Sequence, residues 1–251
     1  MNPNNQIFRP KVRDLPEIDI ERPSLICTPK SADSLPGAYK NRYGIVYEDE
    51  HILIINKPSG ILVVPTPKGE TNTLTDLLNQ ELDRRGVLAN AYPCHRIDRE
   101  TSGLIIYAKG KAVQQIMMEQ FKAHLVKKTY IAFVHGIVRK NSDTLQGNVY
   151  SEKKRKTELM ITKYRVIERK KYFTIVEVQP VTGRTNQIRI HFKSIGHSLV
   201  GESVYAFRKD FKLRFKRVAL HAKALEFSHP ISGKRMNFNL PLPEDMRKFT
   251  K

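Results

Sequence analysis

Tryptophan is absent, and the 251 residues contain only two cysteines, Cys27 and Cys94. Two thiols supply neither a disulfide framework nor a metal-ligand spacing. Cys94 adjoins His95, but neighbours in sequence need not meet in space, and the residue reads as a small half-buried thiol. Long apolar runs are also missing. Ile52-Leu53-Ile54-Ile55 is among the longest and is far too short to span a bilayer. The start, Met1 to Gln6, is polar and has no signal-like stretch. A soluble, cytoplasmic protein is the expectation. No phosphate-cradling glycine loop, dinucleotide fingerprint, zinc spacing or serine elbow occurs. Neither a cofactor nor a metal is expected, which sets aside most ligases, kinases and polymerases.

Negative charge is scarce too. Asp and Glu number 25 against 44 Lys and Arg, a net charge of +19. Such an excess costs self-repulsion in the folded state, so an anionic partner is a natural reason to keep it. Nucleic acid is the first candidate and an anionic membrane surface the second.

Residues 1–40 carry six of the fourteen prolines, Pro3, Pro10, Pro16, Pro23, Pro29 and Pro36. Proline fixes φ and removes a donor, so an extended arm is expected there, followed by one domain over 41–251. Gly44 to Glu48 and His51 to Lys57 read as strands, the second ended by Pro58-Ser59-Gly60. Leu74, Leu77, Leu78 and Leu82 share a helix face within 73–82, and Lys111 to His124 is a second helix. Leu104 to Ala108 is a short buried strand. Thr129 to Val138, Thr157 to Ile167 and Tyr172 to Val181 are rich in β-branched and aromatic residues, and Gln187 to Ser194 and Leu220 to Phe227 are further strand or helix candidates. The predicted class is α+β, a mixed, largely antiparallel sheet flanked by helices and loops.

Two polar segments stand out. His95-Arg96-Ile97-Asp98-Arg99-Glu100-Thr101-Ser102-Gly103 precedes an apolar strand. So many ionisable groups beside a core strand are costly unless they pair or act; alone, the segment reads equally well as a salt-bridged surface loop. The second is Pro180 to His191. From Gln187 it alternates, so a strand would put Gln187, Arg189 and His191 on one face and Ile188 and Ile190 on the other. Arg189 on such a strand could grip a carboxylate with a two-pronged hydrogen bond. An ordinary amphipathic strand is the competing reading.

Together and in this order, the segments resemble those of the RluA-type pseudouridine synthases. The hallmark HRLDxxTSGLLxxAK is matched by His95 to Lys109, and GRTHQIRxH by Gly183 to His191. The stretch Glu48 to Gly60 is similar to the family's opening strand pair. Lys127 to Ala132 with Gly136 is similar to its K-x-Y-x-A segment, and Leu220-His221-Ala222 with His229-Pro230 to its C-terminal landmarks. The resemblance covers residues 43–246. The chain departs from the pattern at Asn186, where His is usual, at Ser198, where Pro is usual, and at Glu202, where Asp is usual.

The resemblance implies an isomerase that breaks the bond from ribose to nitrogen 1 of uracil and rejoins the base through carbon 5, in ribosomal or transfer RNA. No atoms are gained, so no cofactor is needed. It implies Asp98 as the catalytic carboxylate and Tyr130 as the aromatic stacked on the base; Arg189 is the candidate partner for the Asp98 charge. The uridine must leave its stack, and the resemblance gives Arg96 the gap left behind. His95, Arg184, Lys153, Lys154, Arg155, Lys156, Arg208, Arg214 and Lys216 complete the expected RNA footprint of a monomer. Phe207, Phe211 and Phe215, four apart, suggest one helix face used for core packing. Two other readings stay open: a catalytically silent RNA-binding or ribosome-assembly protein on the same fold, and a glycosidase-like pair of Asp98 with Glu100.

Overall fold

In a computed structural model, residues 43–250 are described, apart from 68, 152–153, 209 and 211–212. The expected N-terminal arm, Lys153 and Phe211 lie outside the described residues. The chain runs β1 (Gly44–Glu48), β2 (Ile52–Lys57), α1 (Leu74–Arg84), β3 (Ala91–Pro93), β4 (Ser102–Lys109), α2 (Lys111–Lys122), β5 (Lys127–His135), β6 (Ser142–Ser151), β7 (Lys156–Arg169), β8 (Phe173–Pro180), α3 (Gln187–Ser194), β9 (Leu220–Ser228), β10 (Arg235–Asn239) and α4 (Glu244–Phe249).

One ten-stranded sheet takes the order β1-β2-β4-β9-β5-β8-β7-β6, with β3 beside β4 and β10 beside β9. The β4–β9 pair is parallel and the other pairs are antiparallel. The sheet is therefore largely antiparallel, as expected, and the class is α+β.

The unbroken apolar runs of β2 and β4 are explained by cover on both faces. Leu53, Ile55, Ile105 and Tyr107 pack with the leucines of α1. Ile52, Ile54, Leu104 and Ile106 pack with Val113 and Met117 of α2. Helix α1 starts where Thr73 and Asp76 form a reciprocal capping box, which satisfies two otherwise orphaned amides. A third cluster gathers Ile131, Phe133, Phe173, Phe215, Met246 and Phe249.

Of the strand and helix readings open for 187–194, the structure takes the helix, so the alternating pattern read from Gln187 does not hold. Ile188 and Phe192, four apart, both enter the main core, whereas alternation would have split them from it. Gly196, at φ 82°, ends the helix. The His197 amide donates to the Phe192 carbonyl and the Gly196 amide to that of Lys193, the double bond of a left-handed C-terminal cap. Arg189 and His191 therefore do not share a face. The aromatic spacing at 207–215 also fails to mark an α-helix in the described residues there. Phe215 instead packs edge-on against Phe249, with ring centroids 5.1 Å apart.

One glycine fixes the geometry of the centre. Gly103 pairs with Ala222 of β9, and Ala222 pairs in turn with Tyr130 of β5. A Cβ on Gly103 would lie 2.2 Å from the Ala222 carbonyl oxygen, and its φ is +111°. Gly103→Ala combines a backbone clash with a strained φ. It is expected to destabilise the protein by about 2–5 kcal/mol, seen as a large fall in Tm; a wild-type melting curve would refute this close packing.

Candidate active site

The loop between β3 and β4 carries Asp98, and its polar residues are mostly engaged. His95 Nε2 accepts from the Ile106 amide at 3.1 Å, and its ring packs against Phe121. Burial, assisted by the nearby Lys128 charge, pulls the imidazole down to about 3, so it is neutral and held by the fold. Arg99 pairs with Glu70 at 2.9 Å. Glu100 accepts from the Val218 amide through its side chain and from Arg217 through its carbonyl. Glu100 is thus a strut to the β9 approach, which removes the basis for pairing it with Asp98. Ser102 bonds His221 at 3.0 Å. The sequence offered a salt-bridged loop or a working loop; Arg99, Glu100 and Ser102 fit the first and Asp98 stands apart.

The loop is pinned from below by a residue that sequence reasoning passed over. Lys57 is fully buried at the end of β2. Its ammonium donates to the carbonyls of Pro58, Ile61 and Arg99 at 2.9, 2.9 and 3.0 Å. Burial lowers its pKa to about 7, against the pull of the Asp98 charge. The only sequence signal was a lysine closing an apolar strand before Pro58-Ser59-Gly60.

Asp98 keeps 28% of its side chain exposed, and its Oδ2 lies 3.7 Å from Arg189 Nη1. Burial pushes its carboxyl above the ordinary 3.8, although Arg189, Arg96 and Lys57 all pull it down. Desolvation wins because no hydrogen bond shorter than that long contact ties the carboxylate among the described residues. Arg96 is exposed and has no hydrogen-bond partner among them. Tyr130 is buried on β5. Burial and then the Asp98 charge push its phenol up, so the ring is a neutral face and a poor proton acceptor.

Arg189 does not give its fork to Asp98, as the sequence suggested. Nε and Nη2 donate to the two oxygens of Glu202 at 2.6 and 2.7 Å, and Nη1 donates to Asn186 Oδ1 at 2.8 Å. The Tyr205 ring lies 5.1 Å from the guanidinium carbon. Asn186, Ser198 and Glu202, the three departures from the motif pattern, all meet here: Asn186 Nδ2 donates to the Tyr205 hydroxyl and Ser198 Oγ to the Tyr205 carbonyl. His191 is turned inward, 2% exposed, with Nδ1 2.8 Å from Thr162 Oγ1. Gln187 does the local anchoring. It accepts from Thr182 and the Arg184 amide and donates to Ile161 and Thr162.

Of the expected footprint, Arg184 and Lys154 converge on Glu158 at 3.4 and 2.8 Å. Arg155, at φ 50° in the β6–β7 turn, and Lys156 are exposed beside them. Arg208, Arg214 and Lys216 are exposed on the segment between α3 and β9. Lys128 was not singled out. It is half-buried, its Nζ is 6.0 Å from the Phe121 ring and 3.7 Å from where a Gly183 Cβ would sit, and no anion faces it among the described residues. A cavity of about 540 Å³ lined by residues including His135, Tyr172, His197 and Leu213 contains none of the expected site residues.

The sequence pattern described as RNA pseudouridylate synthase matches residues 51–194. An RNA pseudouridine synthase of Bacillus subtilis is 38% identical over 213 residues, covering 80% of this chain and 70% of its own length. Ribosomal large subunit pseudouridine synthase D of Zymomonas mobilis is 37% identical over 227 residues, covering 81% and 70%. Among solved structures, human RNA pseudouridylate synthase domain containing 4 superposes with a TM-score of 0.69 at 22% identity. That likeness spans 81% of this chain and 90% of that one, and supports the fold.

Proposed function

The chain belongs to the RNA pseudouridylate synthase family, and on that premise we propose that Asp98, Arg189 and Tyr130 carry the isomerisation of uridine in RNA. The enzyme is an isomerase acting on RNA. The observation that supports the site is the meeting of Asp98 and Arg189 at 3.7 Å beside a strand carrying Tyr130. Asp98 supplies the carboxylate that the glycosidic rearrangement uses, at the sugar or at the base. Tyr130 offers a flat, neutral face to the detached uracil. Arg96, exposed and untied, fills the gap left when the uridine leaves its stack. Unstacking the uridine costs about a few kcal/mol.

Activity requires ionised Asp98. It is therefore expected to fall as pH drops through the raised Asp98 pKa and to hold above it.

Ribosomal RNA is the favoured substrate, because several relatives are named for the large ribosomal subunit; transfer RNA is the second choice. No helix among the described residues is long and apolar enough to cross a membrane. Action as a cytoplasmic monomer is part of the same proposal. The test is incubation with uridine-labelled ribosomal and transfer RNA, reading pseudouridine by chromatography. Product from neither RNA would favour a silent binder on this fold.

The proposed RNA contacts are Arg184, the Lys154–Lys156 turn, the segment of Arg208, Arg214 and Lys216, and Lys128, which lies two residues before Tyr130 on β5. A lysine among apolar neighbours with no anion beside it suits a phosphate. Lys128→Met is expected to weaken RNA binding and to reduce the slope of log affinity against log salt by about 1. Fluorescence anisotropy over a salt series measures this, and an unchanged slope removes Lys128 from these contacts.

A further inference from the structure

The cavity of about 540 Å³ lies apart from the Asp98 centre. Strand register separates the two. Tyr130 pairs with Val178, whereas His135 of the cavity lining pairs with Phe173. His135 is thus five residues further along β5, about 17 Å at an extended rise. Side chains alternate along a strand, so His135 sides with Ile131 and Phe133 in the third cluster and not with Tyr130 in the first. The volume falls within the range of about 300–1,000 Å³ common to small-ligand sites.

Hydrogen bonds fix its walls. The Gly136 amide donates to the Tyr172 carbonyl at 2.9 Å, and the His135 amide to that of Ser198 at 2.8 Å. His197 Nδ1 lies 2.8 Å from the His135 carbonyl. A carbonyl only accepts, so Nδ1 carries the proton and Nε2 of the neutral ring is an acceptor. Asp210 is buried, and its carboxylate accepts from the Phe207 amide at 2.9 Å. An imidazole acceptor and a carboxylate in one lining call for a ligand with N–H donors. At the rim, Tyr172 is 59% exposed, with Lys171 Nζ 5.2 Å from its ring. Arg169 donates to the carbonyls of Val138 and Arg139 at 2.8 and 3.1 Å. Those bonds bring the exposed cations Arg139 and Lys171 to the same end of the sheet.

We propose that this cavity is a second nucleotide site, separate from the Asp98 centre, that takes an unpaired amino-bearing base of the RNA (adenine, guanine or cytosine). The base lies against the Tyr172 ring, and its exocyclic amino group meets the acceptors of His197 and Asp210. Lys171 and Arg139 hold the flanking phosphates. An exposed aromatic with cations beside it is the usual platform for a single-stranded base, and hydrogen bonds to the base edge then select it. Uracil turns two carbonyls and a single N–H outward, so the same acceptors oppose it. The second site therefore grips RNA around the target without competing for the uridine itself. This inference rests on the action of the chain on RNA and not on the roles given to Asp98, Arg189 and Tyr130.

The experiment titrates AMP, GMP, CMP and UMP into the full chain and follows the histidine ring protons by NMR, with the His197 signal identified in His197→Gln. The three amino-bearing nucleotides are expected to shift that signal and to bind roughly 10-fold or more tighter than UMP. Tyr172→Ala keeps the backbone carbonyl that Gly136 uses, and melting curves confirm its fold. It is expected to weaken their binding roughly 5- to 100-fold and to weaken binding of a labelled ribosomal RNA fragment, read by anisotropy. Lys171→Met is expected to lower the salt slope for that fragment by about 1. No shift with any nucleotide, or equal binding of UMP, overturns the site. Nucleotide binding with unchanged RNA affinity in Tyr172→Ala overturns the RNA base as its occupant in favour of a free nucleotide. Pseudouridine formation by the same wild-type preparation is read in parallel, and its absence counts against the proposed reaction alone.

Discussion

Asp98→Asn is expected to lower pseudouridine formation by about 10³-fold while leaving RNA binding near the wild-type level. The substitution is nearly isosteric and removes only the charge. Its effect on stability separates the proposed role from a structural one. The folded-state pKa of Asp98 lies above its ordinary 3.8, because burial outweighs Arg189, Arg96 and Lys57. A carboxyl raised on folding favours the protonated form in the folded state. At a pH above both values its ionisation therefore costs stability, and the cost vanishes as pH falls below the unfolded value. A neutral amide escapes that cost. Asp98→Asn is accordingly expected to melt at or above the wild-type temperature at neutral pH, with the difference disappearing in acid. A structural salt-bridge partner would behave oppositely and melt lower. Loss of turnover together with a lower Tm would argue that Asp98 serves the fold.

Arg189→Ala is expected to damage both stability and rate. Burial by itself would raise the Glu202 carboxyl, but the Arg189 fork and the Val204 and Tyr205 amides hold it below its ordinary 4.5. That stabilisation is present above 4.5 and is lost as pH falls through the lowered folded value. Removing the guanidinium strands a carboxylate whose side chain is 1% exposed. Breaking one side of a buried pair costs about 3–5 kcal/mol, read in urea melts at neutral pH, and the deficit should shrink in acid where Glu202 protonates. The double variant Arg189→Met with Glu202→Leu tests the cause. Replacing both charges by apolar groups is often close to neutral for stability, so it should recover most of the lost stability and none of the lost activity. A double variant as unstable as Arg189→Ala would mean that packing, not the stranded charge, was lost.

The legible parts of the fold are those whose cause is local. The leucine spacing and the Thr73–Asp76 cap mark α1, and the uninterrupted apolar runs of β2 and β4 mark strands covered on both faces. Strands β3, β6 and β10 went unassigned. The first and last have three and five residues, and β6 has a single buried side chain, Leu145, and few β-branched residues. The 187–194 segment was open to strand or helix, and its face assignment misled because Ile188 and Ile190 alternate with Gln187, Arg189 and His191, which imitates a strand. Gly196 after Ser194-Ile195 was the available helix-stop signal, and Ile188 with Phe192 was the helical pair.

The same division holds for the candidate site. The sequence by itself determined the residue types, Asp98 before a core strand, Tyr130 on a β-rich segment and an arginine after Gly183, and through its motif order it pointed to the family. It also set the charge excess, which depends on composition alone. Only the tertiary structure decided which carboxylate Arg189 grips. Glu202 outcompetes Asp98 because it lies thirteen residues on, on a loop whose amides bind the same carboxylate. A sequence pattern carries no distance between one loop and a helix that follows much later. The structure likewise decided that His191 packs inward, that Glu100 braces β9 and that Lys57 holds the Asp98 loop from beneath. Each of these follows from satisfying buried polar groups in three dimensions, a condition that no stretch of sequence states by itself.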